Sequence, residues 1–135
     1  MTPERLRAIS LFAGLDEAQL EALAGAASEV EVEAGQTVAL EGDFGHALFA
    51  IEEGRATVVQ GDEVIRELGV GDVFGEIALL SSGRRTASVV SLTSMRLLTL
   101  FKRDVWRLEH EAPEVGEALR AAVAERLGTP ASSES

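Results

Sequence analysis

Apolar positions along this 135-residue chain change their period twice. Residues 1–27 read as helical. Pro3 suits a first helical turn, and Asp16 with Gln19 three positions later has the form of a capping box, flanked by Leu15 and Leu20 as a hydrophobic staple. Leu20, Leu23, Ala24 and Ala27 then fall on one stripe, the mark of a core-facing helix. From Ser28 to Phe101 the pattern shortens into strand-length runs punctuated by Gly and Asp: Val30 with Val32, Thr37 to Leu40, His46 to Ile51, Arg55 to Gln60, Glu63 to Leu68, Thr86 to Leu92 and Ser94 to Phe101. Gly61-Asp62 reads as a hairpin turn. From Lys102 the helical period returns. One segment runs to Glu109, Ala112-Pro113-Glu114 breaks it, and Val115, Leu119, Val123 and Leu127 recur at i+4 along a second. Arg126 stands beside that stripe. Gly128 and Pro130 form a stop signal, and 131–135 are expected to fray.

About eight short strands at this spacing predict a sandwich, barrel or jelly roll, bracketed by helices. One stretch departs from the strand pattern. Phe74-Gly75-Glu76 leads into a short apolar helical segment, Ile77 to Leu80, and Ser81-Ser82-Gly83 then turns Arg84-Arg85-Thr86 into a new strand. Gly75 lacks a Cβ, so a ligand can approach its backbone closely. The first amides of the short helix have no intrahelical partners and favour an anion. An arginine returned to that end adds a permanently charged planar fork suited to phosphate. A carboxylate at 76 would be repelled by phosphate, so its natural task is to accept hydrogen bonds from sugar hydroxyls on the ligand's far side.

The run Phe-Gly-Glu-Ile-Ala-Leu-Leu and the ending Arg-Arg-Thr-Ala-Ser-Val resemble the phosphate-binding cassette of the cyclic-nucleotide-binding domain family, and within it the sensor domains of cyclic-nucleotide-modulated ion channels. The glycines at 42, 54, 71 and 75 fall where that family turns its β-roll, so the resemblance covers nearly all of residues 10–127. It implies an α+β fold: an antiparallel β-roll or jelly roll of about eight strands, with N-terminal helices, a short phosphate-binding helix and C-terminal helices. It implies that Arg85, Thr86, Ala87 and the amides of Ile77 and Ala78 meet a cyclic phosphate. Glu76, beside Gly75, would hold the ribose 2′-hydroxyl. Val58, Leu68 and Ile65 would contact the base, and Arg126 would fold over it. Arg84 stands where many members carry proline, so no role passes to it. Thr86 resembles members whose hydroxyl can bond guanine, yet channel sensors with the same Arg-Thr-Ala respond to cyclic AMP. Cyclic AMP is therefore expected first and cyclic GMP second.

Composition narrows the remaining choices. At 135 residues and 46% apolar, the chain is expected to be one globular domain over residues 1–127 with a disordered tail at 128–135. No run approaches the ~20 apolar residues of a membrane span, and Met-Thr-Pro-Glu-Arg is not a signal peptide, so a cytoplasmic setting without membrane insertion is expected. A net charge of −11 disfavours nucleic acid as a partner. One small anion held at contact distance is compatible with it, because distant carboxylates are screened within about 8–10 Å. Zero cysteines exclude disulfides and thiolate metal sites. A cupin-like metal enzyme would need clustered histidines, and only His46 and His110 exist, in separate elements. No catalytic constellation accompanies Glu76, so neither an enzyme nor a cofactor is expected.

The resulting expectation is a regulatory domain that reversibly binds a cyclic nucleoside monophosphate and signals to an unknown effector by moving its last helix. The alternative is a degenerate β-roll that binds no nucleotide and serves as a protein interaction module.

Overall fold

The structure, a computed structural model, describes residues 2–42, 47–75 and 85–127, with every side chain among these except those of Arg126 and Leu127. Helix α1 (Pro3–Arg7), a single 3-10 turn (Ser10–Phe12) and α2 (Glu17–Ala26) occupy the predicted N-terminal helical region. The region is three pieces rather than one, because Ile9 and Asp16 are both extended. The capping box forms as read: Asp16 Oδ1 accepts from the Gln19 amide at 2.8 Å, and Gln19 Oε1 accepts from the Asp16 amide at 2.9 Å.

The strands are β1 (Ser28–Val32), β2 (Thr37–Ala39), β3 (Ala47–Glu53), β4 (Ala56–Gln60), β5 (Glu63–Leu68), β6 (Val73–Phe74), β7 (Ser88–Ser91) and β8 (Met95–Phe101). They form two four-stranded antiparallel sheets, β1-β8-β3-β6 and β2-β7-β4-β5. This is the α+β roll that the family resemblance implied, within the sandwich, barrel or jelly-roll choice that the pattern left open. β6 escaped the periodicity because two residues are too few to show alternation.

The two central strands of the first sheet, β3 and β8, are buried on both faces. Leu48 and Ala50 of β3, with Leu98 and Leu100 of β8, pack against the helices. Ile51 of β3 and Met95 and Leu97 of β8 pack against the second sheet. Strands covered on both sides read as continuous apolar runs, which is why these two show no clean alternation.

Helices α3 (Lys102–Glu111) and α4 (Pro113–Leu127) complete the outer layer. Val115, Leu119 and Val123 of the predicted stripe are buried among Leu6, Phe12, Leu20 and Leu108, on the side of the first sheet away from the second, while the side chain of its fourth member, Leu127, lies outside those described. Arg120 grips Glu109 through two hydrogen bonds, Nε to Oε2 at 2.5 Å and Nη2 to Oε1 at 3.1 Å, locking α4 to α3. That bonding holds the Glu109 carboxyl below its ordinary range and raises the Arg120 guanidinium.

A second ionic cluster ties α1 to the sheet. Arg5 donates to both Glu52 oxygens, at 2.7 and 2.5 Å, and to Glu29 at 2.5 Å. Arg96 approaches Glu52 at 3.6 Å and Glu53 at 3.3 Å. The hydrogen bonds from Arg5 hold Glu52 below the usual carboxylate range, and those to Glu52 push Arg5 up.

Candidate functional site

The site begins with strand register. In the second sheet Ala39 of β2 faces Val89 of β7, and Val89 faces Val58 of β4. Three small aliphatic side chains thus line up across three strands and form a floor. Phe74, at the end of β6 in the other sheet, closes one side, and its ring stacks on Phe49 with centroids 5.0 Å apart. Gly75, Arg85, Thr86 and Ala87 complete the lining. The hollow holds about 20 Å³, room for about one water molecule.

Gly75 sits at φ +81°. A Cβ there would lie 2.6 Å from the Ala47 carbonyl oxygen and 3.0 Å from Arg85 Nη1, so the backbone and the guanidinium both occupy the space a side chain would need. Arg85 is held on several sides. Its Nη2 donates to the Ala47 carbonyl at 3.4 Å, and its guanidinium carbon lies 5.9 Å from the Phe49 ring centroid. Its own carbonyl accepts from the Gly42 amide at 2.9 Å. The neighbouring Thr86 carbonyl accepts from Gln60 Nε2 at 3.1 Å. The chain is thereby pinned at the peptides on either side of Thr86 before it enters β7.

Of the residues expected to form a site, the structure brings Gly75, Arg85, Thr86, Ala87 and Val58 around one hollow. Leu68 and Ile65 belong to the same interior cluster but do not line it. Glu76, Ile77, Ala78 and the short helix to Leu80 lie outside the described residues, as do the side chain of Arg126 and the tail at 128–135. Sequence reasoning missed Ala39, Val89 and Phe74 in the lining, and Phe49 and Gln60 behind it. The strand runs were legible, but the register that puts Ala39, Val89 and Val58 in one row is a tertiary property. Nothing in the sequence marks Gln60. Among the described residues, no group of three His, Asp or Glu side chains could hold a metal ion, and no helix is long and apolar enough to cross a membrane.

The family profile described as Cyclic nucleotide-binding domain matches residues 29–111, the span that contains both sheets and this hollow. The chain belongs to the cyclic nucleotide-binding domain family. This cyclic nucleotide-binding domain is 38% identical over 123 residues to a cyclic nucleotide-gated potassium channel of Rhizobium etli, a match covering 91% of the chain and 34% of the channel. It is 37% identical over 98 residues to the Cyclic AMP receptor protein of Thermus thermophilus, covering 69% of the chain and 45% of that protein. Among solved structures, the regulatory subunit of a cAMP-independent protein kinase A from Trypanosoma brucei superposes with a TM-score of 0.80 at 28% identity, covering 94% of this chain and 44% of that one. The domain therefore spans less than half the length of these relatives.

Proposed function

We propose that this domain reversibly binds a cyclic nucleoside monophosphate, cyclic AMP in preference to cyclic GMP, and passes occupancy to an effector by moving α4. The observation that carries this reading is the placement of Arg85. Its guanidinium packs over a glycine that can bear no side chain, at the mouth of an apolar hollow, with Thr86 and Ala87 beside it. A fixed cation against an apolar wall suits a ligand with an anionic end and a flat apolar end. Arg85, the Thr86 hydroxyl, the Ala87 amide and the amides of Ile77 and Ala78 would hold the phosphate. Glu76 would take the 2′-hydroxyl beside Gly75. Val58 would meet the base, with Leu68 and Ile65 behind it, and Arg126 would close over it. The name of the Thermus relative supports cyclic AMP as the first ligand to test.

The two-state element is α4, hinged at Ala112, which is neither helical nor extended in the usual sense (φ −143°, ψ 75°). Its described stripe packs on the N-terminal helices rather than over the hollow. Signalling would therefore mean a change in that packing as the nucleotide widens the hollow.

Two observations favour a second reading, an interaction module without nucleotide. The hollow is small, and a regulatory subunit of similar fold belongs to a protein kinase A described as cAMP-independent. Calorimetric titration with cyclic AMP, cyclic GMP and linear AMP separates the two. The nucleotide reading expects saturable binding of cyclic AMP, weaker cyclic GMP and weakest linear AMP. Silence toward both cyclic nucleotides at millimolar concentration would hand the domain to the second reading.

A further inference from the structure

Arg85, Thr86 and Ala87 line the hollow, yet they lie just outside the ladder that orders their strand. β7 begins at Ser88, which pairs with Val59, and Val89 follows opposite Ala39. The segment ahead of it takes bonds from two turns. On the β2 side the Gly42 amide donates to the Arg85 carbonyl at 2.9 Å. On the β4 side Gln60 Nε2 donates to the Thr86 carbonyl at 3.1 Å. β7 runs between β2 and β4, so the turns flank the segment two strand spacings, roughly 9–10 Å, apart. Glu41 joins them. Its amide donates to Ser88 Oγ at 2.8 Å, and its Oε1 accepts from the Gly61 amide, at the tip of the β4–β5 hairpin, also at 2.8 Å. The bonds close a ring that runs from Ser88 to Glu41, on to the hairpin tip, to Thr86 and back along the chain.

Electrostatics alone argues against a glutamate at this place. A carboxylate in the turn that grips the Arg85 carbonyl works against an anion in the hollow. Nor does the Gly61 amide need it, because that turn is exposed and water would serve as well. What the carboxylate adds is a tether between two turns that otherwise move separately. We propose that Glu41 is a positioning residue for the nucleotide site. By fastening the hairpin tip across the entry to β7, it fixes the path of Arg85, Thr86 and Ala87 before a ligand arrives, and so lowers the ordering cost of binding. Glu41 touches no ligand in this role; it acts through Ser88, Gly42 and the hairpin. The proposal rests on the nucleotide reading of the hollow and adds to it a determinant of affinity that lies in a solvent-exposed turn.

Calorimetric titration of the full chain with cyclic AMP, beside melting curves of the ligand-free protein, tests it. Glu41→Ala should weaken binding about three- to tenfold, the scale of one hydrogen bond. Its melting temperature should stay near the wild type, because the side chain is exposed. Glu41→Gln should restore binding to the wild-type constant or a tighter one: its amide oxygen accepts the same bond, and the adverse charge is gone. Gln60→Ala should weaken binding by a similar factor. The double variant of Glu41→Ala with Gln60→Ala should lose little more than either alone, because both open the same ring. Wild-type binding that Glu41→Ala leaves unchanged overturns this proposal alone. So does equal tightening by Ala and Gln, which would reduce Glu41 to its charge, and so does a loss that Gln fails to restore. Additive losses in the double variant also overturn it, since the two side chains would then act independently. Wild-type silence toward cyclic AMP and cyclic GMP overturns the nucleotide reading, and this proposal with it.

Discussion

A guanidinium serves an anion only if something holds its plane, and around Arg85 that task falls to Ala47, Phe49 and Gly75. Replacing Arg85 with Ala should weaken cyclic AMP binding by about 2–5 kcal/mol, because a phosphate enclosed without its charged partner loses more than one ordinary hydrogen bond. That is roughly 30-fold or more in the calorimetric dissociation constant; an unchanged constant would remove Arg85 from the site. Gly75→Ala should fail differently. The positive φ and the 2.6 Å approach of the Ala47 carbonyl to the new Cβ should together cost about 3 kcal/mol of stability or more. Chemical denaturation would show the loss without any ligand present. Thr99 offers the opposite case. It is fully buried, and its hydroxyl has no hydrogen-bond partner among the described residues. Thr99→Val keeps the shape and removes the unpaired group, so it should raise stability by about 1 kcal/mol in the same denaturation experiment.

At the scale of elements, the junction of α3 and α4 is built around a missing side chain. Alanine is normally favoured over glycine in a helix by about 1 kcal/mol. At Gly116 an added Cβ would sit 2.4 Å from Glu109 Cγ and 3.1 Å from its Cα, so Gly116→Ala must push α3 and α4 apart and strain the Glu109–Arg120 grip. The expected result is a net loss of about 1–3 kcal/mol, read as a lower melting temperature; an unchanged or higher one would mean the helices separate freely. The elements themselves were largely legible. The capping box fixed the start of α2, the Ala112-Pro113 break fixed the α3–α4 boundary, and short runs bounded by Gly and Asp found most strands. Legibility ended where chain neighbours stop deciding. The 3.6 period of Val115, Leu119 and Val123 announced a buried face but not its partner, which proved to be the N-terminal helices. The motif likewise named Arg85 and Gly75 but could not show Phe49 beneath the guanidinium.

The whole molecule is three layers, the helices and two sheets, and Arg5 ties the first two through Glu52 and Glu29. Glu52 has its carboxyl held below the ordinary value by Arg5. A depressed folded pKa means that the stabilisation is complete above the unfolded value of 4.5 and is lost as pH falls through the folded one. At neutral pH Glu52→Gln should cost about 1 kcal/mol, modest because both partners keep some contact with water. Melting curves of wild type and variant should converge as the solution is acidified; a gap that persists at low pH would mean that packing, not charge, sets the difference. The doubly covered sheet has a further consequence. Leu97 and Met95 face the hollow's layer, while Leu98 and Leu100 face the helices. Neighbouring positions of β8 thus pack into different cores, and under the proposed function the first bears on affinity and the second on response. Mutations scattered along this strand should sort by parity into altered affinity or altered response, leaving each property open to selection without disturbing the other.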